Sequence, residues 1–187
     1  MITIKGLRAI KEADIILYDR LVNKKLLEYA RSDATCIFCG KKPNMHGMIQ
    51  DQINEQLVSF AKSGYIVTRL KGGDPFIFGR GGEEALLLEK NKIIYEIVPG
   101  ITAGISAAAY AGIPPLTHRD ISGSVSFING SNPQSKTIEE WRHLANGAET
   151  LCFYMGVKNF PIICSKLIEA GLSKTIPVAI IHWGHVS

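Results

Sequence analysis

The sequence predicts an α/β protein of two domains, an N-terminal domain with a parallel sheet and a C-terminal α/β domain. Two observations carry this prediction: helix-like and strand-like stretches alternate over residues 4–98, and a second alternation begins after Thr117. Between them, Gly-Ile-Pro-Pro at residues 112–115 breaks the pattern and is the candidate linker. We therefore place the domains at residues 1–113 and 114–187.

In the first domain, the apolar run at residues 15–18 predicts a buried strand. The clearest helix follows from Ile49, Ile53, Leu57 and Phe60, which recur at spacings of three and four before Gly64 ends the helix. The other predicted elements are a helix end at 7–13, a short helix at 24–30, a strand around Cys36, a strand at 65–70, a glycine-rich turn at 71–82, a helix at 83–89, a strand at 93–98 and an Ala-rich helix at 101–111.

The second domain repeats the alternation with turn signals between its elements. A polar Gly-Ser-Asn-Pro loop at residues 130–133 separates the first strand from the helix that follows it. The predicted elements are strands at 124–128, 150–154 and 177–181 and helices at 138–145 and 159–170.

Composition limits the classes of function. A chain of 187 residues with 46% hydrophobic residues can bury a sizeable core. The net charge of +4 comes from scattered basic residues, which argues against a nucleic-acid partner. The longest apolar run, residues 101–111, is shorter than the roughly 20 residues of a membrane span. With no secretory signal pattern at the N-terminus, we expect a cytoplasmic protein without a membrane partner.

The four cysteines include a C-x-x-C spacing at Cys36 and Cys39, which would suit a zinc site. The surrounding residues read as a strand, however, and positions three apart on a strand point to opposite faces. Cys152 and Cys164 do not form a second such pair. We therefore expect reduced, buried thiols and no metal.

The most informative segment is residues 69–84, RLKGGDPFIFGRGGEE, in which five glycines follow a strand. Glycines let backbone amides approach a ligand closely, and ligands bind at the carboxyl ends of parallel strands. The segment therefore predicts a ligand loop, although a glycine-rich turn made only for geometry is the alternative. It contains neither a phosphate-binding P-loop nor a dinucleotide fingerprint.

This segment resembles the long glycine-rich signature of the uroporphyrinogen-III C-methyltransferases, which belong to the tetrapyrrole methylases. Further blocks match that family in order and spacing, so the resemblance covers essentially the whole chain. These blocks are residues 17–22, 40–41, 98–103, 116–119 and 154–159.

The resemblance implies the two-domain tetrapyrrole methylase fold. It also implies methyl transfer from S-adenosylmethionine to two carbons of uroporphyrinogen III, giving precorrin-2 on the way to sirohaem and cobalamin. A homodimer without a metal is the family expectation. Because such a transfer needs the ring carbon in line with the sulfonium methyl, positioning should supply much of the rate.

By resemblance, the proton acceptor is Asp19 and the proton donor is Lys41. Both residues follow predicted strands, where side chains converge on a cleft, and their groups suit acid–base work. The alternative is a plain ion pair of the two with each other or with Arg20.

The resemblance also assigns ligand contacts. Glycine and alanine would give backbone access, while Met155 taken alone would read as core packing. The residues implied to hold the cofactor are Gly72, Gly73, Asp74, Ile77, Thr102, Ala103, Met155 and Gly184. The cations that would meet the substrate's carboxylates are Arg20, Lys71, Arg80 and Arg119.

Compared with the family pattern, the first strand with its Gly-x-Gly-Pro-Gly-Asp-Pro turn and the last strands are expected to be missing, so both domains are predicted to be incomplete. Two hypotheses follow: an active methyltransferase, or a catalytically silent remnant that dimerises or binds tetrapyrrole. A relative that methylates RNA or protein is a third interpretation, which the length of the glycine-rich match disfavours.

Overall fold

The computed structural model describes residues 1–40, 50–118 and 121–182. The chain divides into two compact units, Met1–Thr102 and Ala103–Ser187. In the described ranges each unit holds one parallel sheet flanked by helices, so the α/β fold class is confirmed. Some predicted residues lie outside the described ranges: Lys41, Arg119 and Gly184 of the site, and Ile49 of the long helix.

The sheet of the first unit contains β1 (Ile15–Tyr18), β2 (Thr35–Phe38) and β3 (Val67–Leu70). Their order is β2-β1-β3 and both pairings are parallel, so β1 is the central strand. Its residues are apolar throughout, as expected for a strand covered on both faces. In the register, Leu17 lies between Ile37 of β2 and Arg69 of β3.

Alternation along β1 sends neighbouring side chains into two different cores. Leu17 packs with helix α2 (Gln50–Lys62) and with Leu88 of helix α3 (Gly81–Lys90). Ile16 points to the opposite face and packs with helix α1 (Ile4–Glu12). A 3₁₀ turn at Lys24–Tyr29, where the sequence predicted a short helix, supplies further apolar side chains to that second core.

The second unit contains α4 (Ala103–Tyr110), β4 (Val125–Asn129), α5 (Ile138–Gly147), β5 (Thr150–Tyr154) and α6 (Phe160–Glu169), with 3₁₀ turns at Pro133–Ser135 and Val157–Asn159. Strands β4 and β5 pair in parallel. The core is built around Trp141, which is 1% exposed and stacks on Phe153 at 6.2 Å between ring centroids. Ile163 and Leu167 of α6 belong to the same core as Trp141 of α5, so both helices pack against this sheet.

Helix α4, the predicted Ala-rich helix, belongs to the second unit. The predicted division after residue 113 placed it in the first. Within the second unit, the Gly104 N–H donates to the Tyr154 hydroxyl oxygen at 2.7 Å, and the glycine lies close to the ring of Phe127. The side chains of β4 and β5 therefore tie α4 to this sheet.

Two predicted strands, at residues 93–98 and 177–181, join no sheet in the described part of the chain, so these two predictions were wrong. Their apolar side chains are largely exposed: Ile94 is 99% accessible and Val178 is 62% accessible. A strand requires a hydrogen-bonded neighbour, and an apolar run in the sequence does not reveal whether one exists.

No helix in the described ranges combines the length and the apolar character needed to cross a bilayer. The longest, α2, has 13 residues and carries charged side chains on its exposed face.

Helix α5 begins with a capping box in which Thr137 and Glu140 exchange hydrogen bonds. The Thr137 hydroxyl oxygen accepts the Glu140 N–H at 3.2 Å, and the Glu140 carboxylate accepts the Thr137 N–H at 2.6 Å. We expect Thr137→Ala to lower the free energy of unfolding by about 1 kcal/mol, the usual effect of losing an N-cap side chain. Urea denaturation followed by circular dichroism measures the change.

The capping box also predicts a pH dependence of stability. Hydrogen bonds from the Thr137 backbone N–H and hydroxyl lower the pKa of Glu140. The stabilisation is therefore full above the ordinary carboxyl pKa and is lost as pH falls through the lowered pKa of the folded chain. Glu140→Gln should flatten this acid limb, whereas Glu139→Gln, which alters an exposed pair with Arg142, should preserve it. An unchanged limb in Glu140→Gln would contradict the prediction.

Candidate functional site

Three loops leave the carboxyl edge of the first sheet, because its strands are parallel. Asp19 follows β1, Cys39 and Gly40 follow β2, and Lys71 begins the glycine-rich turn after β3. The predicted proton acceptor and the predicted cofactor turn therefore leave adjacent strands at the edge where α/β proteins bind ligands.

The Asp19 carboxylate is held by two groups of the same unit. Oδ1 accepts the Leu21 N–H at 2.9 Å, and Oδ2 lies 3.9 Å from Nη2 of Arg69. A quarter of the side chain remains accessible. In the sequence analysis, the alternative to an acid–base role was an ion pair of Asp19 with Arg20 or Lys41. In the structure Asp19 pairs with Arg69 and Arg20 is exposed, while Lys41 lies outside the described residues.

Beside Asp19 lies a cluster of buried charges that the sequence analysis missed. Glu84, in the first turn of α3, is only 5% exposed, and its Oε1 accepts hydrogen bonds from Arg69 Nε at 3.2 Å and Lys71 Nζ at 3.0 Å. The Gln50 side-chain amide donates to the same oxygen at 3.0 Å. The buried carboxylate is thus compensated by two cations and an amide.

A signal for this cluster was present in the sequence. Arg69 and Lys71 are two residues apart on an extended segment and so share a face, and that face is the one that packs on α2 and α3. Glu84 lies four residues before Leu88, whose side chain packs into the same core. Glu84 rather than Glu83 is therefore the glutamate that turns inward.

Lys71, a predicted substrate ligand, points into this cluster rather than to solvent. Its side chain is 8% exposed and lies 3.0 Å from Glu84. Burial lowers the pKa of Lys71 and the neighbouring charge of Arg69 lowers it further, while Glu84 opposes both effects. Its role toward substrate stays a prediction.

Asp74 links the glycine-rich turn to a second turn, the one that contains Gly100. Its Oδ1 accepts the Phe76 N–H at 2.8 Å, and its Oδ2 accepts the Gly100 N–H at 2.8 Å. The two loops approach so closely that a Cβ atom built on Gly100 would lie 1.9 Å from the Gly73 carbonyl oxygen. Only glycine fits at position 100.

The other predicted cofactor residues of the first unit lie in or beside this pair of turns. Gly73 has φ +79°, a left-handed conformation that glycine adopts without strain. A Cβ on Gly72 would lie 2.7 Å from Cβ of Leu21, in the loop that also carries Asp19. Ile77 is half-buried, and Thr102 is buried. At Gly72 and Gly73 the turn carries no side chain, which fits a loop that binds a ligand through its backbone amides.

Arg80 caps the start of α3 and is more exposed than Lys71. It adopts φ +58°, and its Nε and Nη2 donate to the two carboxylate oxygens of Glu83 at 2.9 and 2.6 Å. This bidentate pair lowers the pKa of Glu83. Of the predicted substrate cations in the described ranges, Arg20 and Arg80 are the exposed ones.

Two predicted cofactor residues belong to the second unit. Ala103 is the first residue of α4 and is exposed. Met155 directly follows β5, has φ +58° and is 56% exposed. An exposed methionine in a left-handed conformation differs from the core side chain that Met155 alone would suggest. Its contact with a cofactor stays a prediction.

The cysteines of the C-x-x-C spacing have different surroundings. Cys36 is exposed, whereas Cys39 is 3% exposed and belongs to the core in which Leu17 packs with α2. Burial raises the pKa of the Cys39 thiol, which keeps it protonated.

Comparison with known proteins relates this geometry to a family. The model of the tetrapyrrole (corrin/porphyrin) methylases matches residues 1–184. A uroporphyrinogen-III C-methyltransferase of Priestia megaterium is 60% identical over 185 residues, which are 98% of this chain and 77% of that protein. A sirohaem synthase of Pseudomonas fluorescens is 50% identical over 98% of this chain, which spans only 39% of that longer protein.

A solved structure is similar as well. The uroporphyrin-III C-methyl transferase of Thermus thermophilus, in complex with S-adenyl homocysteine, superimposes with a TM-score of 0.73 at 34% identity. The match covers 91% of this chain and 71% of the other. On the family match, the sequence identity and the shared fold, this chain belongs to the tetrapyrrole (corrin/porphyrin) methylases.

Proposed function

We propose that this chain transfers methyl groups from S-adenosylmethionine to pyrrole carbons of uroporphyrinogen III, forming precorrin-2 on the route to sirohaem and cobalamin. The observation that carries the proposal is the placement of Asp19 directly after β1, next to strand β3, which leads into the Gly72-Gly73-Asp74 turn at the same edge of the sheet. Relatives named uroporphyrinogen-III C-methyltransferase are 53–60% identical to this chain.

S-adenosylmethionine supplies an electrophilic methyl group on a sulfonium. The protein's part is to hold the reactants in line and to remove a proton from the methylated ring. Gly73 is exposed and has no atom closer than 3.9 Å to a Cβ built on it, and Asp74 fixes the turn against Gly100. Asp19, whose carboxylate is oriented by Leu21 and Arg69, accepts the proton in this proposal.

The substrate carries eight carboxylates, which favours contacts with exposed arginines. Arg20 is the residue after Asp19, and Arg80 lies near the end of the glycine-rich turn. Each is therefore close in sequence to a part of the proposed site. We assign them to the substrate. We further propose that the chain forms a homodimer in the cytoplasm, as expected from the family resemblance.

The test of the proposal is turnover by this chain. Incubation with uroporphyrinogen III and S-adenosylmethionine carrying a radiolabelled methyl group should transfer label to the tetrapyrrole and release S-adenosylhomocysteine in equal amount. Label that stays on S-adenosylmethionine, with the cofactor bound in calorimetry, would contradict the proposal and favour a silent binding protein.

Replacement of Asp19 tests the proton acceptor. Asp19→Asn keeps the shape and the acceptor oxygen for the Leu21 N–H but cannot take up a proton at neutral pH. We expect kcat to fall by about 10²- to 10⁴-fold, the range of general base catalysis, with S-adenosylmethionine affinity preserved. Asp33→Asn, at an exposed aspartate paired with Arg31, is the matched control and should retain wild-type kcat. An active Asp19→Asn chain would refute the assignment.

Replacement of Gly100 tests the cofactor turn. Gly100→Ala places a methyl group against the Gly73 carbonyl oxygen, and because overpacking costs about 1–3 kcal/mol, the two turns must separate. We expect S-adenosylmethionine to bind at least about tenfold more weakly in calorimetry. Gly147→Ala, at the end of α5 and outside the glycine-rich turn, is the control, because a Cβ there meets nothing within 4 Å. Equal affinity in both variants, with Gly100→Ala folded by circular dichroism, would exclude this turn from the cofactor site.

A further inference from the structure

We propose that Arg69 is a positioning residue for Asp19, and that Glu84 and Lys71 hold Arg69 in place. The inference rests on the proposed function, since it concerns the group that accepts the proton there. It assigns a role to three charged residues that would otherwise be part of the core of the first unit.

Arg69 is placed by strand register. It lies opposite Leu17 in the β1–β3 ladder, and Asp19 is two residues beyond Leu17, on the same face. The guanidinium extends along the end of β1, where Nη1 donates to the carbonyl oxygens of Leu17 and Leu70, each at 3.2 Å. Nη2 is then directed toward Asp19 Oδ2, 3.9 Å away.

Glu84 is the anchor of this arrangement. Its Oε1 accepts a hydrogen bond from Arg69 Nε, while Nη2 of the same guanidinium lies 3.9 Å from Asp19, so the planar group cannot rotate without breaking the bond to Glu84. The Arg69 side chain is 12% exposed and that of Glu84 is 7% exposed. Buried charge pairs of this kind resist rearrangement, because exposing one partner leaves the other uncompensated.

The charge balance also favours Asp19 as the fourth member of the cluster. Arg69 and Lys71 bring two positive charges to the single negative charge of Glu84. The remaining positive charge lies on the side of Asp19, whose carboxylate neutralises it across 3.9 Å. Arg69 thereby orients the carboxylate, while the Leu21 N–H fixes the other oxygen.

An arginine is needed for this task. Its fork presents Nε to Glu84, Nη1 to backbone carbonyls and Nη2 to Asp19 at the same time. A lysine at position 69 would keep the charge but has one nitrogen, which cannot serve all three. The positioning role therefore depends on geometry as well as on charge.

The test is a double-mutant cycle between Arg69 and Asp19 in the full chain. Arg69→Gln should lower kcat by about 10- to 100-fold, the effect of a misplaced catalytic group, with KM for uroporphyrinogen III and the Kd of S-adenosylmethionine changed less than about threefold. In the Asp19→Asn background, Arg69→Gln should lower kcat by less than about twofold, because the group it positions is already lost.

Controls separate positioning from stability. Arg31→Gln removes an arginine that pairs with Asp14 and Asp33 in the same unit, and it should leave kcat unchanged. Should Arg69→Gln fail to fold, Arg69→Lys goes through the same cycle. Wild-type kcat in Arg69→Gln, or an equal loss in both Asp19 backgrounds, overturns the inference while leaving the proposed function intact. No turnover by the wild-type chain overturns the proposed function itself and the inference with it.

Discussion

The arrangement at the carboxyl edge of the first sheet depends on one buried carboxylate. Helix α3 carries Glu84 into the core, where a lone ionised group would be strongly unfavourable. Arg69 and Lys71, two residues apart on β3 and its continuation, supply the compensating charges. Removing one partner of such a pair costs on the order of 3–5 kcal/mol. The end of β3, the start of α3 and the neighbouring Asp19 are therefore linked by charge, and the glycine-rich turn between β3 and α3 has both of its ends fixed.

The sequence was informative wherever the pattern of one segment determines its structure. Strand β1 and helix α2 lie where they were predicted, because the spacing of apolar residues that indicates each element is contained in its own segment. The predicted strands at residues 93–98 and 177–181 failed because strand formation depends on a partner elsewhere in the chain. The placement of α4 in the second unit depends on Tyr154, fifty residues away in the sequence, so the linker residues could not reveal it.

In the candidate site too, segments were predictable from the sequence and contacts between distant residues were not. The glycine-rich segment and the family resemblance selected the turn and Asp19, and the structure brings both to one edge of the sheet. Partners of single charges were not predictable, because each depends on which of several nearby groups turns inward. Lys71 was selected as a substrate ligand, which stays a prediction, and its pairing with Glu84 was not foreseen. Arg69 was part of the matched signature, yet its contact with Asp19 follows only from the register of β1 and β3.

Two aspartates follow adjacent strands of this sheet, and their hydrogen bonds distinguish their roles. Asp74 uses both oxygens on backbone amides, at Phe76 and Gly100, so it is committed to holding two turns together. Among the described residues, Asp19 accepts a backbone amide at Oδ1 only, and the cation nearest to Oδ2 is 3.9 Å away, beyond hydrogen-bond distance. Of the two carboxylates, Asp19 is thus the one with an oxygen that accepts no hydrogen bond from the described residues.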